Sequence, residues 1–236
     1  SAVRVEAGHF EVKEASPEQF QNLAESDHIE IVIDLPRVLR RPPDNFQTTP
    51  ITWSEPKNLT AAEDIITEGS LVRAVNCGWE GLSLNGVEFG TGSPLEGRGG
   101  TSLEDRSSGD PELDKLISTY AYAKIPYTTY IEGLEPGQRY QLQLILADPR
   151  TERDGDHNIY GDGCVPANKA TLRNQATEPG EPPFGQYVIG SFTANDFAIC
   201  LTLETAGLRF GRPVPRDVAF ISGYVLREVE ATPETP

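Results

Sequence analysis

The sequence contains no methionine and is poor in the residues that metal, redox and nucleophile chemistry needs: three histidines and three cysteines in 236 residues. His9, His28 and His157 are scattered, and no serine stands in a GxSxG elbow, so neither zinc-assisted nor nucleophilic hydrolysis has a pattern behind it. No run approaches the ~18 consecutive apolar residues of a membrane-spanning helix, and no charged-then-apolar signal segment opens the chain, so direct membrane insertion is not expected. Basic residues are scarce, 20 Lys and Arg against 36 Asp and Glu. The resulting net charge of -16 repels phosphate backbones and anionic lipid, and nucleic acid is excluded as a partner. Carboxylates are plentiful, Glu104 with Asp105 and Glu178 with Glu181 among them, but these sit in Gly- or Pro-rich stretches. Glycosidases need two acids fixed about 5 Å apart on rigid elements, so no catalytic residue is assigned and the chain is read as not an enzyme.

What is present is turn chemistry. Gly 22 and Pro 19 punctuate the chain every ten to fifteen residues, and β-branched, aromatic and alternating apolar residues fill the intervals. Strands are expected at 3–13, 29–35, 51–53, 71–77, 82–89, 127–131, 139–147, 186–192, 197–204 and 219–228. That rhythm predicts an all-β, jelly-roll-like antiparallel sandwich with one or two short helices in its connections. One helix is expected from Ser16-Pro17, with Gln19 completing a capping box, to about Glu25. The other follows Asp110-Pro111 through Glu112 to Tyr120, where Leu113, Leu116 and Ile117 recur at helical spacing. Residues 1–49 read as a β-rich extension, 50–229 as the sandwich and 230–236 as an acidic Pro/Thr tail too apolar-poor to order itself. The stiff stretch Arg40-Arg41-Pro42-Pro43-Asp44-Asn45 precedes the boundary.

Two turns are specified by their residues. Asn85-Gly86 between Leu84 and Val87 is a type I′ hairpin signal, and Pro136-Gly137 in Gly133-Leu134-Glu135-Pro136-Gly137 a type II one, after which Tyr140, Leu142, Leu144 and Leu146 alternate inward in a core hairpin. Residues 185–193 and 197–201 read as a further hairpin through Ala194-Asn195-Asp196. In the stretch 3–13 the inward parity shifts near Gly8, which suggests a bulge or bend in one long edge strand.

The cysteines Cys77, Cys164 and Cys200 are too widely spaced for a CxxC motif. A disulfide with one leftover thiol is one reading, three reduced thiols the other; Cys77, beside Gly78 at a strand end, meets a loop cysteine more easily than mid-strand Cys200, so Cys77 with Cys164 is the expected pair. The disulfide, and a chain that starts at Ser1 as a trimmed product would, predict secretion.

The order Ile51-Thr52-Trp53, Pro56-Lys57-Asn58-Leu59, Gly69-Ser70-Leu71-Val72, Leu84-Asn85-Gly86-Val87-Glu88-Phe89, Gly133-Leu134-Glu135-Pro136-Gly137-Gln138-Arg139-Tyr140 and Gly185-Gln186-Tyr187-Val188-Ile189-Gly190-Ser191-Phe192-Thr193-Ala194 resembles a β-sandwich domain of secreted and surface proteins of planctomycetes and verrucomicrobia. The resemblance covers about residues 51–228. It implies a jelly-roll-like extracellular module and no site residues.

The remaining candidates are for binding. Residues 148–163 set Asp154, Asp156 and Asn158 at alternate positions with Asp162 to close a shell, oxygens that one calcium ion could take on a bending loop. Ile159 and Val165 stand where an EF-hand loop needs glycine and glutamate, and a solvated loop without metal is the competing reading; no cofactor is required. Trp79, in Asn76-Cys77-Gly78-Trp79-Glu80-Gly81, and Tyr120 and Tyr122, with Tyr127 and Tyr130, are candidate stacking platforms for a sugar, or else core or sheet-edge residues, while Trp53 is read as a core residue. The expected function is a non-catalytic extracellular structural or interaction subunit of a cell-surface assembly such as a filament, sheath or layer, partnered by itself or other surface proteins. A lectin-like, carbohydrate-binding module is the alternative, with glycans as its partners.

Overall fold

The computed structural model describes residues 2–6, 9–13, 46–103, 106–124, 127–147, 155–161, 169–174, 181–206, 208–209, 212–213 and 218–230. The chain divides into two compact units, Ser1–Leu39 and Arg40–Pro236. In the first, β1 (Ala2–Glu6) and β2 (His9–Lys13) form an antiparallel hairpin with Glu6 registered against His9. The parity shift near Gly8 is thus a reversal of the chain and not a bulge in one long strand. Val3 pairs with Val12 and Val5 with Phe10, while Arg4 pairs with Glu11, so the alternation assigns apolar positions to one face and charged ones to the other. The strand expected at 29–35, the helix after Ser16, the stretch 40–45 and the tail 231–236 lie outside the described residues.

The second unit is the expected all-β sandwich. Its elements are β3 (Thr52–Trp53), β4 (Lys57–Leu59), β5 (Ser70–Asn76), β6 (Leu82–Leu84), β7 (Val87–Thr91), β8 (Gly97–Gly100), α1 (Pro111–Ile117), β9 (Thr119–Lys124), β10 (Tyr127–Glu132), β11 (Arg139–Leu146), β12 (Gly155–Gly161), β13 (Lys169–Asn174), β14 (Gly185–Thr193), β15 (Ala198–Ala206), the short pair β16 (Leu208–Arg209) and β17 (Arg212–Pro213), β18 (Val218–Ile221) and β19 (Gly223–Glu228). The large sheet runs β3-β14-β11-β19-β5-β7-β6, with β4 also on β14; a second runs β10-β15-β12-β13 and a third β18-β9-β8. Pairing is antiparallel except between β5 and β7, which are parallel. Residues 46–49, expected in the extension, belong to the sandwich: the Gln47 amide donates to Asp196 Oδ2 at 3.0 Å and Asn195 donates to the Thr48 carbonyl at 2.7 Å and Thr49 Oγ1 at 3.0 Å.

The core lies between the sheets. Tyr140, Leu142, Leu144 and Leu146 of β11 point inward as their alternation dictates, meeting Ile131, Ile159, Leu172, Ile199, Leu201 and Leu203 of the second sheet and Ala121, Ala123, Ala219 and Ile221 of the third. On the other face of the large sheet, Ile145, Tyr187 and Val225 pack with Leu113, Leu116 and Ile117 of α1 and with Leu82, Leu84, Val87 and Phe89. Both faces of β11 are therefore covered, and each fully buried aliphatic side chain contributes about 1.5–3 kcal/mol. The Asp110 carboxylate caps α1 by accepting from the amides of Glu112 at 2.9 Å and Leu113 at 3.3 Å, with Pro111 at the first turn. The helix ends at Ile117, so Tyr120 belongs to β9.

Asn85 (φ 50°) and Gly86 (φ 72°) close the expected type I′ hairpin between β6 and β7. At Pro136-Gly137 the turn is the expected type II, with Gly137 at φ 87° and Gln138 N donating to the Glu135 carbonyl at 3.1 Å, but it joins β10 and β11 of different sheets. The connection from β14 to β15 is a crossing as well, because both edges of β14 are already taken, by β11 and by β3 and β4. The run 219–228 divides at Ser222 into strands of two sheets. Its buried hydroxyl donates to the Ala147 carbonyl at 2.7 Å and accepts from the Ala147 amide at 3.0 Å, bonds that a continuing ladder would otherwise supply.

Candidate functional site

The exposed large hydrophobic residues of the sandwich include Trp79 at 60% exposure and Tyr122 at 41%, and both lie against β8. The turn that carries Trp79 is built from buried Asn76 at the end of β5. Asn76 Nδ2 donates to the Glu80 carbonyl at 2.8 Å, while its Oδ1 accepts from the Gly78 amide at 3.2 Å and from Thr119 Oγ1 at 3.1 Å. Arg98 Nη1 donates to the Gly78 carbonyl at 3.2 Å, tying the same turn to β8. Gly78 is required here, since a Cβ would stand 2.5 Å from Thr119 Oγ1. The tryptophan is thus held out on a rigid turn by one buried amide and one guanidinium.

Strand β8 reads Gly97-Arg98-Gly99-Gly100 and pairs only with β9 among the described residues, Gly97 opposite Tyr122 and Gly99 opposite Tyr120. The rings of the two tyrosines lie over the glycines facing them: a Cβ on Gly97 or Gly99 would come 2.5 Å from the ring of Tyr122 or Tyr120. Cross-strand aromatic cover of this kind stabilises glycines in an edge strand. Trp79 lies over Gly100, whose Cβ would meet the indole at 2.8 Å. Alternation along the strand makes the Gly100 face the opposite of the Gly97 and Gly99 face. The three candidate aromatics are therefore gathered around one strand, Trp79 on one face and the tyrosine pair on the other.

Behind the tyrosines lies a file of rings. Tyr120 and Tyr122 have centroids 6.3 Å apart, Phe220 of β18 is 5.6 Å from Tyr120, and His157 of β12 is 4.5 Å from Phe220, edge-on. His157 is buried, its Nδ1 has no hydrogen-bond partner, and burial pushes its pKa down to about 4. Of the other candidates, Tyr130 stands edge-on to Phe46 at 5.6 Å, and desolvation, then the neighbouring Cys200, pushes its phenol up to about 12. Trp53 is half-buried, packed on the core with its Nε1 unpartnered.

The calcium candidates divide. Asp154 and Asp162 lie outside the described residues. Asp156 and Asn158 lie on β12, a strand paired on both edges where a bending loop was expected, and their side chains pair across to β13. Arg173 Nε and Nη2 donate to the two carboxylate oxygens of Asp156 at 2.7 and 3.3 Å, and Thr171 Oγ1 donates to Asn158 Oδ1 at 2.8 Å. Among the described residues no three His, Cys, Asp or Glu side chains converge as a metal site would require. Cys77 is a free thiol and so is Cys200, which corrects the expected Cys77 to Cys164 disulfide; Cys164 lies outside the described residues. Cys77 faces the core, and burial pushes its thiol up to about 12, so it behaves as a small apolar side chain.

The sequence led to the three aromatics but not to the strand that assembles them. Gly97-Arg98-Gly99-Gly100 has the composition of a loop, and His157 gave no signal because its neighbours Asp156 and Asn158 are polar. The alternation Tyr120-Ala121-Tyr122-Ala123 was the available strand signal, masked by extending the helix through Tyr120.

No protein-family model and no curated protein matches the chain. Solved structures similar to it include the extracellular domain of ANXUR1 from Arabidopsis thaliana, at 14% identity and TM-score 0.45 over 68% of this chain and 49% of that one. The plant receptor-like kinase ANX2 gives 12% identity and TM-score 0.46 over 75% and 54%, and the ANX2 ectodomain from Arabidopsis thaliana 13% and 0.46 over 68% and 50%. The chain spans about half the length of these proteins. Likeness at this level does not carry a function across. No helix among the described residues is long and apolar enough to cross a membrane.

Proposed function

We propose that this chain is a non-catalytic interaction subunit of an extracellular surface assembly, and that it meets its partner through the aromatic rim of β8. The observation that carries the reading is Trp79, 60% exposed on a turn locked by Asn76 and Arg98. A tryptophan held rigidly in water has little use inside its own domain, whereas at interfaces such residues supply much of the binding energy at small entropic cost. The hairpin β1–β2 supports self-association: it is a sheet of two strands, and pairs of strands gain stability by adding a third. The resemblance to secreted and surface sandwiches of planctomycetes and verrucomicrobia supports the extracellular setting, with the chain itself or other surface proteins as partners. Size-exclusion chromatography with light scattering tests this on the full chain, on a chain lacking residues 1–13 and on Trp79→Ala. Oligomers in the full chain that are lost in both variants are expected; a full chain that stays monomeric at high concentration removes the assembly reading.

Carbohydrate recognition is the second reading, favoured by the paired rings of Tyr120 and Tyr122, which offer stacking surface on the face of β8 away from Trp79. A glycan array on the wild type and on Tyr122→Ala separates the readings. Binding that Tyr122→Ala abolishes and Trp79→Ala leaves intact favours the lectin-like function.

A further inference from the structure

We infer that His157 is an acid-sensitive latch beneath the three-stranded sheet: when its imidazole takes up a second ring proton it leaves the interior, releases Phe220, and loosens the Tyr120–Tyr122 face of the candidate site. The inference concerns the sheet that bears the aromatic rim and holds whatever that rim binds.

The geometry that carries it is a buried ring that no unpaired carboxylate faces among the described residues. His157 shares its face of β12 with Ile159 and is registered beside Leu172 of β13 and Thr205 of β15, none of which ionises. Phe220 of β18 meets it in a T-shaped arrangement with ring centroids 4.5 Å apart, and Nδ1 is unpartnered. The nearest charge on its own strand, Asp156, is held by two of the three guanidinium nitrogens of Arg173, and its pull on a protonated ring is outweighed by burial. Glu204 of β15 is registered with Asn158, on the opposite face. On β9, beyond Phe220, the ionisable side chains are Tyr120, Tyr122 and Lys124, none of them a carboxylate. A buried imidazolium without an anionic partner is strongly disfavoured, so the ring must move or its surroundings must open.

What opens is set by the neighbours. Strand β18 has four residues and, among the described residues, pairs with β9 alone, and β9 pairs onward to the glycine strand β8. The large sheet, covered on both faces, is far harder to breach. The proton therefore trades against a local opening of β18-β9-β8, not against the whole fold.

With the ring titrating at about 4 in the closed state and ~6.5 when released, the opening constant rises about 20-fold between pH 7 and pH 5. Native-state hydrogen exchange in low urea reads it directly, since local openings are nearly insensitive to urea while global unfolding is not. At pH 5 the amides of Val218–Ile221 and Thr119–Lys124 are expected to exchange through a urea-insensitive opening that is about 20-fold rarer at pH 7, while those of β11 and β19 keep a steep urea dependence. His157→Phe, which keeps an aromatic ring and cannot charge, removes the pH dependence of β18 and β9. Should that variant fail to fold, the wild type decides through the carbon-13 signals of its three histidines. The inference is overturned if β18 and β9 follow the same urea dependence as β11 at pH 5, if the acid response survives in His157→Phe, or if His157 titrates near 6.5 in the folded protein.

Discussion

Strand β11 and strand β8 are held by opposite means. All eight residues of β11 pair with β14 and six of them, Tyr140 to Ile145, also with β19, so the strand runs through the middle of the large sheet with apolar side chains buried on both of its faces. Strand β8 has four residues, three of them glycine, and is kept in place by rings that reach across from β9 and from the Trp79 turn. The first strand is stabilised by what it buries, the second by what lies on it. A strand of the second kind costs the fold little to alter, and in this protein that is where the exposed rings of Trp79 and Tyr122 lie.

The largest expected effects lie in the large sheet. Leu144→Ala removes a fully buried side chain from the main core and should cost about 2–5 kcal/mol in urea unfolding. Gly185→Ala should cost a similar amount, on the order of 3 kcal/mol, because its Cβ would press on the Leu146 carbonyl and on Ala147, backbone-fixed groups that cannot swing aside. A loss below about 1 kcal/mol for either would break the contrast between the two strands.

Acid comes next. The folded-state pKa of His157 is depressed to about 4, below the ~6.5 of the unfolded chain, so the unfolded state binds the proton first. The stability His157 contributes by staying neutral is complete above pH 6.5 and is lost as pH falls towards 4, in total on the order of 3 kcal/mol. Urea midpoints measured from pH 7 to pH 4 on wild type and His157→Phe isolate this contribution from that of the carboxylates. A His157→Phe protein that loses stability as steeply as wild type across that window would sink the assignment.

Within β8 the comparison sharpens. Gly99→Ala pushes on Tyr120, which is wedged against Phe220 at 5.6 Å, whereas Gly97→Ala pushes on Tyr122, free at 41% exposure to swing into water. About 1 kcal/mol is expected for Gly99→Ala and less for Gly97→Ala. In a Tyr120→Ala background the penalty at Gly99 should vanish, an interaction that a double-mutant cycle measures.

How much of this was legible follows the same division. Tyr140, Leu142, Leu144 and Leu146 announced β11 because burial writes a period of two into the sequence, and Asn85-Gly86 announced its hairpin because only that turn suits those residues. Pro136-Gly137 fixed a turn and not a partner strand: the same type II geometry serves a hairpin or a crossing, and long-range competition for the edges of β14 and β11 decided which. Strand β12 was hidden because Asp156 and Asn158 satisfy themselves across the strands, a polar pairing that resembles a loop in one dimension. Strand β8 was hidden because nothing in it is buried by its own side chain. Sequence periodicity reports side chains a strand buries for itself, so a site assembled from the rings of neighbours shows only as scattered aromatics.

The smallest expected effect is the most informative about function. Among the described residues Trp79 is the most exposed of the large apolar side chains, and its turn is held by Asn76 and Arg98, neither of which depends on the indole. Trp79→Ala should therefore change the unfolding free energy measured in urea by no more than about 0.5 kcal/mol, the loss of its cover over Gly100 being offset by removing apolar surface from water. If the same substitution abolishes oligomers while the fold is untouched, the indole is an anchor for a partner and the rim of β8 is an interface. A loss of several kcal/mol would instead make Trp79 a structural lid on the glycine strand, held there to close the sandwich, and the interface would have to be sought at the β1–β2 hairpin.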